Sequence, residues 1–203
     1  MTHDEALNAL NTLVKNENLR RHHLAAGVCM KALAQFLKTK HKSGFSLFGL
    51  GSKSDIDPNS WQIVGLLHDA DYERTKDRPA EHGVIILDEI RSLNYSITPE
   101  EAEAIKFHNF ENTKAKESLM GWGIYTCDEL TGLIVACALV RPDKKLASVA
   151  VDFVLSKMKE PAFAKGALRN RIYLCSEKLG IKLEDFVKIN LEAMQSIADQ
   201  LGL

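Results

Sequence analysis

His22, the doublet His68-Asp69, His82, His108 and Asp128 are the residues of this chain whose types suit one or two divalent cations. Imidazole and carboxylate donors without thiolate suit Fe, Mn, Zn, Mg, Co or Ni, and a site rich in histidine favours Fe, Mn or Zn over Mg. Cations held this way make hydroxide from water at neutral pH and neutralise charge that develops on phosphoryl oxygens. The chemistry expected of the set is therefore metal-dependent hydrolysis, with phosphate ester bonds as the first candidate.

The elements that must position these residues read as helices throughout. Thr2 and Glu5 form a capping box ahead of an amphipathic run to about Lys15, and Asn16 caps a long second helix to about Lys40. A Gly- and Ser-rich stretch over 41–57 follows, long enough to suggest a functional flap. Asp57-Pro58 opens a helix to about Ala70, Pro79 another to about Leu93, and Thr98-Pro99-Glu100-Glu101 a third to about Asn109. Ser118–Leu139 reads as one long helix, followed by helices over about Ser148–Lys157, Ala162–Leu179 and Leu183–Leu201, with Gly180 as a C-cap. The expected fold class is all-α.

Helical spacing places the candidates on apolar faces. Leu19, His22, Ala26, Cys29, Leu33 and Phe36 recur at three and four, and so do Tyr125, Asp128, Gly132, Val135 and Leu139. His82 aligns with Ile85, Ile86 and Glu89, His108 follows Ala104 and Ile105, and His68 lies one turn after Val64 and Gly65. A buried imidazole or carboxylate needs a partner, and convergence on a shared metal satisfies all of them at once. His23 lies about 100° around its helix from His22, off the main stripe, so His22 is the preferred ligand.

Composition leaves a soluble single-domain protein as the expectation. The chain has 203 residues, 45% hydrophobic and 26% charged, with a net charge of −1. No basic stripe marks a surface for duplex nucleic acid. The N-terminus lacks a signal-peptide pattern and no apolar run reaches the ~20 residues of a membrane span, so a cytoplasmic location without membrane association is expected. Cys29, Cys127, Cys137 and Cys175 are far apart and read as reduced core residues. Oligomeric state is left open.

The order H…HD…H…H…D on consecutive helices, with the strings NLRRHHLAAG, GLLHDADYE, EHGVIIL and DELTGLIVACALVRP, resembles the HD superfamily of metal-dependent phosphohydrolases, and within it a subgroup of small bacterial predicted hydrolases. The resemblance covers roughly residues 16–142. It implies an HD-type helical bundle with a helical extension over about 143–203, the whole forming one domain over 1–203. It further implies that His22, His68, Asp69 and Asp128 hold a first metal, that Asp69 bridges to a second, and that His82 and His108 complete the second. The string HDADYE departs from the HDIGK of the best-known binuclear members, so no substrate analogy with cyclic-dinucleotide enzymes follows.

Asp69, Asp71 and Glu73 make up the expected catalytic group. Asp71 and Glu73 could orient the attacking water, hold a ligating histidine by its second nitrogen, or form a solvated acidic turn. A small phosphorylated metabolite or nucleotide needs cationic clamps, and Arg20, Arg21, Arg74, Lys76, Arg78, Lys106 and Arg141 all lie near a ligand or at the end of a ligand helix. Arg141 is preferred because it closes the Asp128 helix, with Arg74 and Lys106 next. Two other readings fit the same residues: a di-iron oxygenase of the HD type, and a non-catalytic ligand-binding or sensing module.

Overall fold

A computed structural model describes residues 1–42 and 56–203, and the suggested flap lies mostly outside them. The described residues are all-helical. They form α1 (His3–Leu13), α2 (Glu17–Lys42), α3 (Pro58–Leu67), α4 (Tyr72–Thr75), α5 (Ile85–Ser92), α6 (Pro99–Phe107), α7 (Phe110–Thr113), α8 (Leu119–Leu139), a 3-10 turn (Leu146–Ser148), α9 (Val151–Met158), α10 (Arg169–Lys178), α11 (Leu183–Gln195) and α12 (Ala198–Leu201). Local chemistry sets the main starts. Thr2 and Thr98 each close a reciprocal capping box, with Glu5 and Glu101 respectively. Asn16 Oδ1 accepts from the Leu19 N–H, Asp57 accepts from the Asn59 N–H, and Ser118 accepts from the Gly121 N–H.

The long helix α2 is the axis of the bundle. Helices α3, α8, α11 and α12 pack on it, while α6 packs against both α3 and α8. Because α2 has neighbours on most of its circumference, it buries more than the single stripe expected. Its deepest line runs through His23, Ala26, Met30, Leu33 and Leu37, and His22 lies on the flank of that line. Tail helices α10 and α11 lie against α8 and α2, so residues beyond 142 close the side of the bundle that carries Asp128. Helix α8 is long and apolar enough to cross a membrane, and 67% of its most apolar stretch is buried inside the protein. All four cysteines are free and buried.

Close backbone approach brings His22 and His68 together. A Cβ placed on Gly65 would lie 2.6 Å from the Ala26 carbonyl oxygen and 2.7 Å from Gly27 Cα. Those are backbone atoms of α2, which cannot swing aside as a side chain can. Gly65→Ala should therefore destabilise the protein by about 3 kcal/mol, lowering the melting temperature by about 10 °C. Gly132→Ala is the control. A Cβ there meets nothing within 4 Å, and its better helix propensity should leave stability unchanged or raised by up to ~1 kcal/mol. Thermal melts of the two variants check both outcomes.

Three expected elements are interrupted. The run from Pro79 becomes helical only at Ile85, because Gly83 takes φ +78° and gives its N–H to Asp71 instead of a helical carbonyl. His82 thus sits in a turn. The 162–168 stretch is not helical, since the Arg169 guanidinium binds the carbonyls of Phe163, Ala164 and Ala167, and the Leu168 N–H goes to Glu129. The last expected helix breaks at Ser196-Ile197 into α11 and α12. The short helices α4 and α7 had no counterpart in the periodicity.

Candidate metal centre

Six side chains converge from α2, the C-terminal end of α3 and the turn after it, the turn before α5, the end of α6, and α8. Around the first position His22 Nε2 lies 3.3 Å from His68 Nε2 and 3.0 Å from Asp128 Oδ1. His68 Nε2 is 3.4 Å from the same oxygen. Around the second, Asp69 Oδ1 lies 3.0 Å from His82 Nε2 and 3.1 Å from His108 Nε2, and the two imidazole nitrogens are 2.9 Å apart. Asp69 belongs to both groups, with Oδ2 3.9 Å from His22 Nε2. Donors bound to one ion at about 2.1 Å each sit roughly 3 Å from one another. The spacings are those of two donor sets that share one carboxylate.

The tautomers favour the same conclusion. His68 Nδ1 faces the Gly65 carbonyl at 2.9 Å, and His108 Nδ1 faces the Ile105 carbonyl. A carbonyl only accepts, so each Nδ1 carries the proton and each Nε2 presents a lone pair to the centre. His82 Nδ1 is held at 2.9 Å by Asp71 Oδ1, with Thr75 Oγ1 3.1 Å away. The His82 and His108 Nε2 atoms face each other at 2.9 Å, so a proton or a metal ion must lie between them. Asp128 Oδ1 is buried without an aligned hydrogen bond, although imidazole nitrogens lie close to it. That is how a ligand oxygen aimed at a common point behaves.

The field of the site is cation-attracting. Burial alone would lower the pKa of His22, but Asp128 and Asp69 outweigh it and raise the value to about 9. His82 is likewise raised to about 9, with Asp69 and Asp71 overcoming desolvation. Desolvation would raise Asp69 and Asp128, yet the surrounding histidines hold both carboxyls below the usual range. A field that retains protons on two imidazoles is one that a divalent cation can take over. The donor set thus fits one or two metal ions, with Asp69 between them.

The remaining expected site residues are placed differently. Asp71 is fully buried and accepts from His82 Nδ1 and from the N–H groups of Gly83 (2.9 Å) and Ile86 (3.3 Å). It holds the His82 ring by its second nitrogen, one of the roles expected of it. Glu73 Oε2 accepts from the Lys15 N–H at 2.8 Å and so ties the α1–α2 connection to the turn after the doublet. Arg74 spends its donors on Glu89, Leu13 O and Ala70 O. Lys106 pairs with Glu103. Arg141 follows Asp128 by thirteen residues, about 20 Å along α8, and its guanidinium stacks 5.2 Å from the Phe153 ring centroid. None of these three cations faces the centre. Being at the end of a ligand's helix does not bring a residue near the ligand.

Two cavities open beside the centre, and His22 lines both. One, of about 340 Å³, is bounded by Asp69, Asp128, Glu129 and the small residues Gly132, Ala164, Gly166 and Ala167. Its tail wall is fixed by Glu129, which accepts from the Leu168 N–H at 2.8 Å and pairs with Arg171 at 3.2 Å. Burial raises the pKa of Glu129. Sequence reasoning passed over this residue, although two adjacent acids in the middle of an apolar helix were a signal for it. The other cavity, of about 520 Å³, is lined by Asn16, Asn18, Leu19, Tyr72, Glu73 and Lys76. His23, set aside in favour of His22, is fully buried, and its ring packs 5.2 Å from that of His68 with neither nitrogen bonded. Burial and the neighbouring imidazoles depress its pKa well below the usual value, so it is a neutral packing residue behind the ligands.

Comparison of the chain with protein-family models, with curated proteins and with solved structures finds no match. The class that fold and site define is thus an all-helical protein with a His/Asp cluster able to hold a metal ion.

Proposed function

We propose that the chain is a metal-dependent phosphohydrolase of the HD type, acting on a small phosphorylated metabolite or nucleotide. The observation that carries the reading is the shared carboxylate. Asp69 lies between two imidazole groups whose Nε2 lone pairs converge on it, within 3.0–3.1 Å on the His82/His108 side. His22, His68, Asp69 and Asp128 would hold one ion, and Asp69, His82 and His108 a second. A bound pair supplies hydroxide at neutral pH and stabilises charge on phosphoryl oxygens. The chain's own contribution is to fix three imidazoles by their Nδ1 atoms, to keep the donors in a partly dry cleft, and to leave two cavities through which an ester can reach the centre.

The test is release of inorganic phosphate from a panel of nucleotides and sugar phosphates. Chelation should abolish release, and Mn or Fe should restore it. Iron-loaded protein that consumes oxygen with a substrate and liberates no phosphate would instead place it among oxygenases. Binding without turnover by fully metallated protein would make it a sensing module.

A further inference from the structure

Of the seven cations expected as candidate phosphate clamps, the preferred three, Arg141, Arg74 and Lys106, are engaged elsewhere or distant. Among the described residues Lys76 is the one lysine or arginine that lines either cavity, and it takes part in no ion pair with them. Its neighbours Arg74 and Arg78 are both paired, with Glu89 and Glu81. Tyr72 lines the same cavity. The residue is 45% exposed, against the tendency of aromatic residues to be buried, and its ring stands edge-on to the His82 ring with centroids 5.6 Å apart. Helix α4 puts the two on one side: they are four residues apart, and the Lys76 N–H closes the turn on the Tyr72 carbonyl at 3.0 Å. The acidic member of the cavity, Glu73, is occupied by the backbone N–H of Lys15. The Asn18 side chain adds amide donors and an acceptor at the rim.

We infer that this cavity is a nucleotide subsite, in which a nucleobase stacks on the exposed Tyr72 ring and Lys76 takes an anionic phosphate oxygen while the reacting phosphoryl group lies at the Asp69 centre. The inference rests on the phosphohydrolase reading and narrows its substrate class. An exposed ring beside an unpaired ammonium is the combination that binds a planar base carrying an anion. The cavity on the Glu129 side, lined among the described residues by three carboxylates, His22 and small residues, has neither a lysine or arginine nor a tyrosine.

The experiment compares kcat/KM for adenosine monophosphate and for glycerol phosphate, which has no ring. Wild type should prefer the nucleotide. Tyr72→Ala should shrink that preference about tenfold or more, chiefly through KM, and Tyr72→Phe should retain it. Lys76→Ala should raise KM for both esters. Tyr173→Ala, which removes an equally exposed ring outside both cavities, should leave the preference intact. Glycerol phosphate hydrolysis with a preference untouched by Tyr72→Ala overturns the subsite and leaves the hydrolase reading standing. If metallated protein releases phosphate neither from these esters nor from the wider panel of nucleotides and sugar phosphates, the hydrolase reading falls. Calorimetric titration of the metallated protein with adenosine monophosphate then decides the subsite separately: binding weakened by Tyr72→Ala upholds it, and no binding, or binding that Tyr72→Ala leaves unchanged, overturns it.

Discussion

Asp69→Ala should remove both metal ions, whereas His82→Ala or His108→Ala should remove one. The asymmetry follows from geometry. Asp69 Oδ1 is 3.0 and 3.1 Å from the His82 and His108 nitrogens, and Oδ2 faces His22. Without the carboxylate, His82 and His108 are left as two neutral donors facing each other at 2.9 Å with no anion to offset a cation's charge. Metal per chain should fall from about two equivalents to well under one, and phosphate release by on the order of a thousandfold or more. The His82 and His108 variants should keep about one equivalent, held by His22, His68, Asp69 and Asp128. Elemental analysis beside a phosphate assay separates these outcomes, and an Asp69→Ala protein that kept both ions or turned over normally would refute the shared-carboxylate account.

Asp71→Ala should show the next largest effect, on stability and metal together. The side chain is fully buried and accepts from one imidazole and two backbone N–H groups. Truncation strands those three donors in the interior, at an expected cost of about 3 kcal/mol or more. It also frees the His82 ring, which should weaken the second ion about 10- to 100-fold while sparing the first. Asparagine is an incomplete rescue. Its amide presents a donor either to His82 or to the N–H groups of Gly83 and Ile86, so one side is always mismatched. Denaturation curves and second-ion affinity measured on the same preparations test this. Wild-type values of both in Asp71→Ala would show that the carboxylate does not position His82.

The sequence made the helix starts legible because capping is local: Thr2, Asn16, Asp57, Thr98 and Ser118 all cap as their side chains suggest. His22 and Asp128 were legible because each interrupts an apolar helical periodicity, whereas Asp69 and His82 lie in turns and were legible by residue type and order alone. Legibility failed where a long-range partner replaces a helical bond. The Asp71 carboxylate captures the Gly83 N–H, and Arg169 captures three carbonyls, so the turns at 79–84 and 162–168 look helical in composition and are not. It failed again for the cations. Which lysine or arginine faces a cleft depends on which are already paired, and the pairs Arg74–Glu89 and Arg171–Glu129 span 15 and 42 residues. Preferring His22 over His23 was a question of facing. The axis helix buries both sides, and what separates the two is that His22 opens on the cavities while His23 lies sealed behind His68.

Metal content per chain, measured on protein purified without chelator or nickel affinity and again after reloading with Fe or Mn, tests the central claim most directly. The shared-carboxylate centre predicts about two equivalents. No bound metal even after reloading would contradict it, and the convergence of the six side chains would then need another explanation.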